Sequence, residues 1–278
     1  MEEEFSDSPE RGGGQIQITI DGEKGTSKTW TYLSFPFSHR MAVFSYDGKV
    51  GRILNNPAFA KRVGTTHVTD AMKYVTDMTE KGYPEGAVKT HNFILWCLKQ
   101  RQKENWDWIV HDGLDVLAEV QEQRARGARG YTAYQPIGQF DPMWKMRKLG
   151  FRDIMNASLL AAKKGVIWVT YPRRVEVYQA GVLIETKSPP NWYDLIEKQT
   201  DIWLRCERVD NAKDRTTKYF VSIRGPKVAG WPEKTLETTG KHIFELLPPE
   251  AFGEHGFGSN PVVEIAEPKK DELAELFG

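Results

Sequence analysis

The sequence of 278 residues lacks three features that would place it in a specialised class of protein. It contains no apolar run of about 18 residues, which is the length that a membrane-spanning helix requires. It has only two cysteines, Cys97 and Cys206, far apart and without metal-ligand spacing, so we expect free thiols in a reducing compartment. It has no net charge, because 38 basic residues balance 38 acidic ones. Any attraction to nucleic acid must therefore come from local clusters of charge.

What is present fits a globular protein, with 40% hydrophobic and 27% charged residues. The length suits one α/β domain with a sizeable core. We expect a disordered leader at residues 1–14, the domain at 15–247, and a linker with a C-terminal tail at 248–278. The acidic start lacks the basic and apolar segments of a signal peptide, which predicts a cytoplasmic protein, or one of the host-cell cytoplasm if it is viral. The apolar end of the tail, Leu273–Phe277, is either a docking peptide for a replication partner or a frayed end.

The most informative segment is a glycine-containing loop that follows an alternating, strand-like run at 15–21. Such a loop between a strand and a helix binds nucleotide phosphates through backbone N–H groups and the start of the helix. Lys28 would neutralise the β- and γ-phosphates, and Thr29 would hold Mg²⁺ through its hydroxyl. One departure from G-x-x-x-x-G-K-[ST] is Ser27, which stands where the pattern has glycine; the alternative is a surface turn with an ordinary lysine. The predicted nucleotide-binding residues are Gly22, Glu23, Lys24, Gly25, Thr26, Ser27, Lys28 and Thr29.

A second strand-like run, Trp106–Asp112, ends in an acid. In P-loop nucleotidases a strand of this kind places its carboxylate beside the phosphate loop, where it holds Mg²⁺ directly or through water. A short apolar strand ending in Asp is common by chance. Together with the upstream loop, however, it predicts a nucleotide site in which Asp112 is a metal-facing and catalytic residue.

Strands alternating with helices along the chain predict an α/β fold with a mostly parallel sheet flanked by helices. Two late segments, 201–208 and 217–224, alternate with a period of two and predict an antiparallel hairpin on one edge of that sheet. We also predict a helix at 71–81 and loops at 127–142 and 172–190.

The order of these motifs resembles the RecA-like core of P-loop ATPases. The elements concerned are the phosphate loop, the strand that ends at Asp47, the strand that ends at Asp112, and the later strand Trp168–Tyr171. More narrowly, the chain is similar to the compact RecA-type ATPases of phages and archaeal viruses, which are related to single-strand annealing proteins and minimal recombinases. The resemblance covers about residues 14–230. It implies a RecA-like fold, ATP and Mg²⁺ as cofactors, and assembly of identical subunits into a ring or filament.

The resemblance also implies roles for individual residues. Asp47 stands where a RecA-type protein has its catalytic carboxylate, usually a longer Glu, which orients the attacking water. Thr170 and Tyr171 stand where the family has a γ-phosphate sensor, commonly Gln or His. RecA-like ATPases complete the site with a Lys or Arg from the next subunit. Candidates for that residue are Arg208, Arg215, Lys218 and Arg224.

Two predicted loops mix basic and aromatic residues, a combination that suits single-stranded nucleic acid because bases stack on rings and phosphates bind cations. The DNA-binding candidates are Arg126, Arg129, Tyr131, Tyr134 and Lys145 from the first loop region, and Arg173 and Arg174 from the second. The alternative is that the arginines near 124–129 are the solvated end of a helix, favoured there by the helix dipole, while the aromatics pack the loop onto the core.

From the sequence we therefore predict an ATP-binding RecA-like protein that acts on single-stranded DNA in annealing, recombination or replication, as an Mg²⁺-dependent ATPase in an oligomer. One alternative is a nucleotide-gated DNA-binding or assembly module with little hydrolysis, which Ser27, the short Asp47 and the absence of a Gln or His sensor favour. A second alternative is a helicase or DNA-packaging motor, against which the short chain counts because no accessory domain fits.

Overall fold

The computed structural model of the protein describes residues 15–179, 182–190, 196–228 and 230–252. The predicted leader at 1–14 and the predicted docking peptide Leu273–Phe277 lie outside the described residues. Ten strands are described: β1 Ile16–Asp21, β2 Met41–Ser45, β3 Thr66–Asp70, β4 Trp106–Asp112, β5 Ala162–Thr170, β6 Val175–Gln179, β7 Val182–Lys187, β8 Ile202–Asn211, β9 Thr216–Arg224 and β10 Thr235–Glu237. The helices are α1 Lys28–Leu33, α2 Val50–Leu54, α3 Ala60–Val63, α4 Gly82–Arg101, α5 Leu114–Ala128, α6 Met143–Ala161 and α7 Ile243–Leu246, with short 3₁₀ turns at Pro57–Phe59, Glu197–Gln199 and Pro249–Ala251.

Eight of these strands form one sheet in the order β10-β9-β8-β1-β5-β4-β2-β3. All pairs from β8 to β3 are parallel, whereas β8, β9 and β10 pair antiparallel. The predicted fold class is thereby confirmed, including the late hairpin at one edge. Because β1, β2, β4 and β5 are parallel neighbours, their carboxyl ends meet at one edge of the sheet, where ligands bind in open α/β folds.

Two hydrophobic cores lie on opposite faces of this sheet, since successive side chains of a strand point to opposite sides. In β5, Ile167 and Val169 join one core, which also contains β1 isoleucines and α1. Val166 and Trp168 join the other, which is formed with α4, α5 and α6. The first core extends past the predicted domain boundary at 247, because Ala251 and Phe252 are buried in it.

The structure differs from the sequence-based prediction in two segments. The helix predicted at 71–81 is absent, and α4 begins only at Gly82. The Asp77 carboxylate accepts hydrogen bonds from the backbone N–H and hydroxyl of Thr79, and this side-chain turn competes with a helix there. The loop predicted at 172–190 instead contains a two-stranded hairpin of β6 and β7, which is separate from the main sheet. No helix in the described ranges is long and apolar enough to cross a membrane.

Candidate nucleotide-binding site

The loop between β1 and α1 has a backbone shape that only particular residues adopt easily. Gly22 and Gly25 have φ angles of 157° and 82°. A Cβ atom on Gly22 would lie 2.4 Å from the carbonyl oxygen of Cys206, so the adjacent strand β8 requires glycine there. Within the loop, the Thr26 hydroxyl donates to the carbonyl of Glu23 at 2.8 Å. The loop is therefore closed by its own hydrogen bonds and by contact with the sheet.

Lys28 begins α1 and extends back over this loop. Its ammonium group donates to the carbonyls of Gly22 at 2.6 Å and Glu23 at 2.9 Å, and it lies 3.9 Å from the ring centre of Tyr171. Burial lowers the pKa of Lys28, while the nearby Cys206 and the carboxyl groups of Asp112, Asp21 and Asp115 oppose that shift. A half-buried ammonium group beside a glycine-containing loop is an environment suited to an anionic ligand.

Thr29 and Asp112, which the sequence assigns to the same metal, are in direct contact. The Thr29 hydroxyl donates to Asp112 Oδ2 at 2.8 Å. In the sheet, β5 lies between β1, which precedes the loop and α1, and β4, which ends at Asp112. The Tyr32 hydroxyl donates to the same oxygen at 2.9 Å. Burial raises the pKa of Asp112, the hydrogen bonds from Thr29 and Tyr32 lower it, and the neighbouring Asp47 raises it further.

Asp47 lies just beyond the end of β2, which stops at Ser45 rather than at the predicted Asp47. Ser45 pairs in register with Asp112 of the adjacent strand, so the two carboxylates occupy neighbouring positions on the same edge. Asp47 accepts hydrogen bonds from the backbone N–H of Lys49 at 3.1 Å and from its ammonium group at 2.5 Å.

The two predicted sensor residues lie at the end of β5 on the same edge of the sheet: Thr170 is the last residue of the strand and Tyr171 follows it. The Thr170 hydroxyl donates to Asp115 Oδ1 at 3.1 Å, and the backbone N–H of Tyr171 donates to Asp115 Oδ2 at 3.1 Å. Asp115, in the first turn of α5, thus connects the end of β5 to the helix that follows Asp112. The sequence analysis did not identify Asp115 or Tyr32, because each makes its contact with a residue more than 50 positions away in the chain.

A cavity of 560 Å³ opens over the loop. Its lining combines two kinds of residue: the loop with two acids, and an aromatic, an aliphatic and polar side chains from α1, α2 and the turn after α2. The lining residues are Lys24, Gly25, Thr26, Ser27, Lys28, Thr29, Trp30, Asp47, Lys49, Arg52, Ile53, Asn56, Asp112, Gly113, Val169, Thr170 and Tyr171.

The donor set in this cavity fits Mg²⁺ bound together with a phosphate ligand. Mg²⁺ in such sites takes one or two protein oxygens, with substrate oxygens and waters completing its octahedron. The Thr29 hydroxyl and the Asp112 carboxylate are oxygen ligands of that kind. No group of three or more His, Cys, Asp or Glu side chains suited to a metal occurs in the described part of the chain, so an all-protein metal cage is not the arrangement seen there.

The four candidates for a basic residue acting between subunits lie at different distances from the loop. Arg208 is close to it in the same chain, since a Cβ on Gly25 would lie 3.7 Å from Arg208 Nη1. Arg208 is exposed and pairs with Asp210 at 2.9 Å. Lys218 pairs with Glu237 at 3.3 Å, and Arg215 lies in the turn between β8 and β9. Arg224 instead packs against the Trp203 ring, with its guanidinium 5.5 Å from the ring centre.

The DNA-binding candidates divide into one structural residue and several exposed ones. Arg126 is 9% exposed, and its guanidinium donates to Glu122 at 3.0 Å and to the carbonyl of Gln135 at 2.7 Å. The prediction that Arg126 binds DNA is therefore corrected: its side chain organises the loop after α5. Tyr131 is half-buried, and its hydroxyl donates to Asp141 at 2.9 Å. The exposed candidates are Arg129, Tyr134, Lys145, Arg173 and Arg174, the last of which pairs with Glu176 at 3.2 Å.

Among solved structures, the chain is similar to a KaiC-like protein of the hyperthermophilic archaeon Pyrococcus horikoshii. That likeness has 11% sequence identity and a TM-score of 0.43, and it covers 80% of this chain and 84% of the other. It is also similar to the flagellar accessory protein FlaH of Methanocaldococcus jannaschii, with 15% identity, a TM-score of 0.45, and the same coverage of 80% and 84%. No protein-family model and no curated protein sequence matches the chain.

Proposed function

We propose that the chain binds a nucleoside triphosphate, expected to be ATP, together with Mg²⁺ in the cavity above the loop at 22–29. The observation that supports this most directly is the 2.8 Å contact between the Thr29 hydroxyl and the Asp112 carboxylate. Two residues more than 80 positions apart in sequence meet beside a lysine-containing phosphate loop. That is the geometry in which a P-loop hydroxyl and a strand-end Asp hold Mg²⁺ on the β- and γ-phosphates.

In this proposal each residue at the loop has a distinct task. Lys28 would leave the carbonyls of Gly22 and Glu23 and bind phosphate oxygens, a stronger partner because both groups are charged. Mg²⁺ would neutralise the negative charge that develops on the phosphate oxygens of the leaving group. Asp47, beside Asp112 at the edge of the sheet, would orient the water that attacks the γ-phosphate, with ADP and inorganic phosphate as products.

The lining residues from α1, α2 and the turn after α2 have the composition of a nucleoside subsite. Trp30 and Ile53 offer apolar surface for a base, and Asn56 is a polar neighbour. Ligand pockets generally combine apolar walls with a few polar groups in this way. A cavity of 560 Å³ lies within the range in which such ligands bind.

Whether the bound nucleotide is hydrolysed is a separate part of the proposal. Asp47 forms an ion pair with Lys49, and Tyr171 covers Lys28 where a Gln or His sensor would stand. Both features also suit the alternative, a nucleotide-gated module with little turnover. ATPase rates with and without single-stranded DNA distinguish the two: DNA-stimulated turnover supports the enzyme, and tight binding without turnover supports the module.

The nucleotide site is tested by binding of a fluorescent, non-hydrolysable ATP analogue. Lys28→Ala and Thr29→Ala are expected to weaken Mg²⁺-dependent binding by about tenfold or more, since charge-assisted hydrogen bonds contribute on the order of 1.5–3 kcal/mol each. Lys89→Ala, which removes an exposed lysine of α4, is the matched control and should bind as the wild type does. If Lys28→Ala and wild type bound the analogue with equal affinity, the proposal would be contradicted.

Single-stranded DNA is the partner that the exposed candidates favour. Tyr134 is 62% exposed, and it shares the segment from α5 to α6 with exposed Arg129 and Lys145. An exposed ring among cations provides stacking and phosphate contacts together. A gel shift with labelled oligonucleotides, with and without ATP and Mg²⁺, tests this role; Tyr134→Ala should weaken the shift, whereas a shift unchanged by that variant would contradict it.

Assembly into a ring or filament and kinship with phage and archaeal-virus ATPases belong to the same proposal and rest on the motif order of the sequence.

A further inference from the structure

Tyr32 makes a contact with the proposed metal site that the loop motif does not include. Its ring lies on α1 one helical turn beyond Lys28, and its hydroxyl donates to Asp112 Oδ2 at 2.9 Å. Thr29 donates to the same oxygen at 2.8 Å. Thr29 and Tyr32 are three residues apart, so they lie on the same side of the helix and reach one acceptor together.

The backbone of Asp112 is also fixed on both sides. Its carbonyl accepts a hydrogen bond from the N–H of Tyr46 at 3.1 Å, and the N–H of Gly113 donates to the carbonyl of Val169 at 3.2 Å. These bonds fix the backbone and leave the side-chain torsions of Asp112 to be set by other contacts. Two hydroxyl donors on Oδ2 restrict those torsions, and in the described part of the chain Oδ1 receives no hydrogen bond.

Tyr32 is itself held rigidly. The residue is 0% exposed and belongs to the core that β1 and α1 share. A ring packed in this way cannot swing aside when a ligand enters, whereas Thr29 must turn its hydroxyl oxygen towards a metal that it coordinates. Tyr32 therefore remains hydrogen-bonded to Asp112 both with and without a bound ligand.

We propose that Tyr32 is a positioning residue that holds the Asp112 carboxylate in the orientation needed to bind Mg²⁺ or its water when nucleotide is present. The inference rests on the proposed function and adds a residue to it. Groups that hydrogen-bond to a metal-facing carboxylate set its orientation, and removing one typically weakens metal binding about 10–100-fold.

The test is the Mg²⁺ dependence of binding of a non-hydrolysable fluorescent ATP analogue, measured as the half-saturating Mg²⁺ concentration. Tyr32→Phe keeps the packed ring and deletes only the hydroxyl. We expect its half-saturating Mg²⁺ concentration to rise about tenfold, while its affinity for the analogue without Mg²⁺ stays within about twofold of wild type, because the loop itself is untouched. Tyr32→Met, which fills the same space with a flexible apolar chain, should give the same shift.

Tyr46→Phe is the matched control. Tyr46 is buried at the same edge of the sheet, and its hydroxyl pairs with His111 Nδ1 at 2.9 Å instead of with Asp112. Its half-saturating Mg²⁺ concentration should remain that of wild type. A general loosening of the end of β4 would shift both phenylalanine variants equally, and that result would overturn the proposal.

The other outcomes are also decisive. If wild type and Tyr32→Phe both bind the analogue with the same dependence on Mg²⁺, the proposed role of Tyr32 is overturned and the proposed nucleotide site is unaffected. Wild type that shows no Mg²⁺-dependent binding overturns both. Failure of both Tyr32 variants to fold, seen as loss of the far-ultraviolet circular dichroism of the wild type, would assign the hydroxyl to stability and overturn the positioning role.

Discussion

Ser27 is the last residue of the glycine-containing loop before α1, and its backbone has the left-handed values φ 69° and ψ 24°. A residue with a Cβ atom adopts this conformation at a cost of about 1–2 kcal/mol, which glycine avoids. No hydrogen bond of the Ser27 side chain caps the helix. Serine in place of the glycine of the loop pattern therefore strains the backbone locally and does not indicate a different loop shape.

Ser27→Gly is expected to raise the free energy of unfolding by about 1 kcal/mol, since it relieves that strain and loses no side-chain cap. Urea unfolding measures the change. Ser188→Gly replaces an exposed serine whose φ is negative, so it should give no gain. A Ser27→Gly protein no more stable than wild type would mean that the surrounding structure imposes the left-handed turn without strain.

At the level of single residues, the sequence predicted those parts of the site that local spacing encodes. Lys28 and Thr29 follow from the loop pattern, and Asp112 from a strand that ends in an acid. Tyr32 and Asp115 lie in equally ordinary helix sequence, and their importance arises only from contacts with distant residues. Single-sequence patterns contain no information on such pairs.

At the scale of elements, β1, β2, β4, β5, β8 and β9 were predicted because their side chains are either all apolar or alternate between apolar and polar. The short strand β10 was not predicted. The hairpin of β6 and β7 was missed, since it lies in a predicted loop and adds no strand to the sheet. The helix predicted at 71–81 failed for a local reason, the Asp77–Thr79 turn. The connection between α1 and α3 was also not predictable, because it depends on a buried arginine that the sequence presents as an ordinary charged residue.

That arginine, Arg62 of α3, is 0% exposed. Its guanidinium donates to the carbonyls of Leu33 at 2.9 Å, His39 at 2.7 Å and Pro36 at 2.9 Å, all in or after the last turn of α1. Burial lowers its pKa to about 10, and Asp107 opposes that shift. One side chain therefore satisfies the last carbonyl of α1 and two carbonyls of the segment that follows the helix.

Arg62→Met is expected to lower the free energy of unfolding by about 3 kcal/mol, because several buried carbonyls would lose their donor at once. Lys61→Met, at the exposed neighbouring position, is the control and should change stability by less than about 0.5 kcal/mol. Both are measured by urea unfolding. A loss below about 1 kcal/mol for Arg62→Met would show that water or backbone shifts replace the guanidinium.

At the scale of the whole molecule, two histidines that are distant in the chain are kept neutral by their surroundings: His91 is buried and His39 is half-buried. The pKa of His91 is lowered to about 4, chiefly by burial and also by the charge of Arg124, while the neighbouring Gln121 side chain opposes the shift. Burial also lowers the pKa of His39 to about 4, with Lys164 and Arg62 adding to the effect and Asp107 opposing it. These histidines lie in different parts of the chain, so their protonation concerns the stability of the molecule as a whole.

The sign of the effect follows from which state binds the proton. Above about pH 6.5 these histidines are neutral in both the folded and the unfolded protein, so the free energy of unfolding does not depend on their protonation. As the pH falls from about 6.5 to about 4, the unfolded chain takes up protons that the folded protein excludes, so the free energy of unfolding decreases. A histidine contributes a slope of at most about 1.4 kcal/mol per pH unit in that window, and the loss levels off below the folded pKa.

His91→Gln removes one of these protonation sites and keeps a polar side chain, so it should reduce the dependence of stability on pH between about 6.5 and 4, with a gain relative to wild type that grows as the pH falls. Urea unfolding at a series of pH values gives the slopes directly. His67→Gln, at an exposed position of the edge strand β3, is the control and should keep the larger part of the wild-type slope. If His91→Gln lost stability with acid as steeply as wild type, His91 would take up its proton over the same pH range in the folded and unfolded states, and the acid sensitivity would have to arise from other groups.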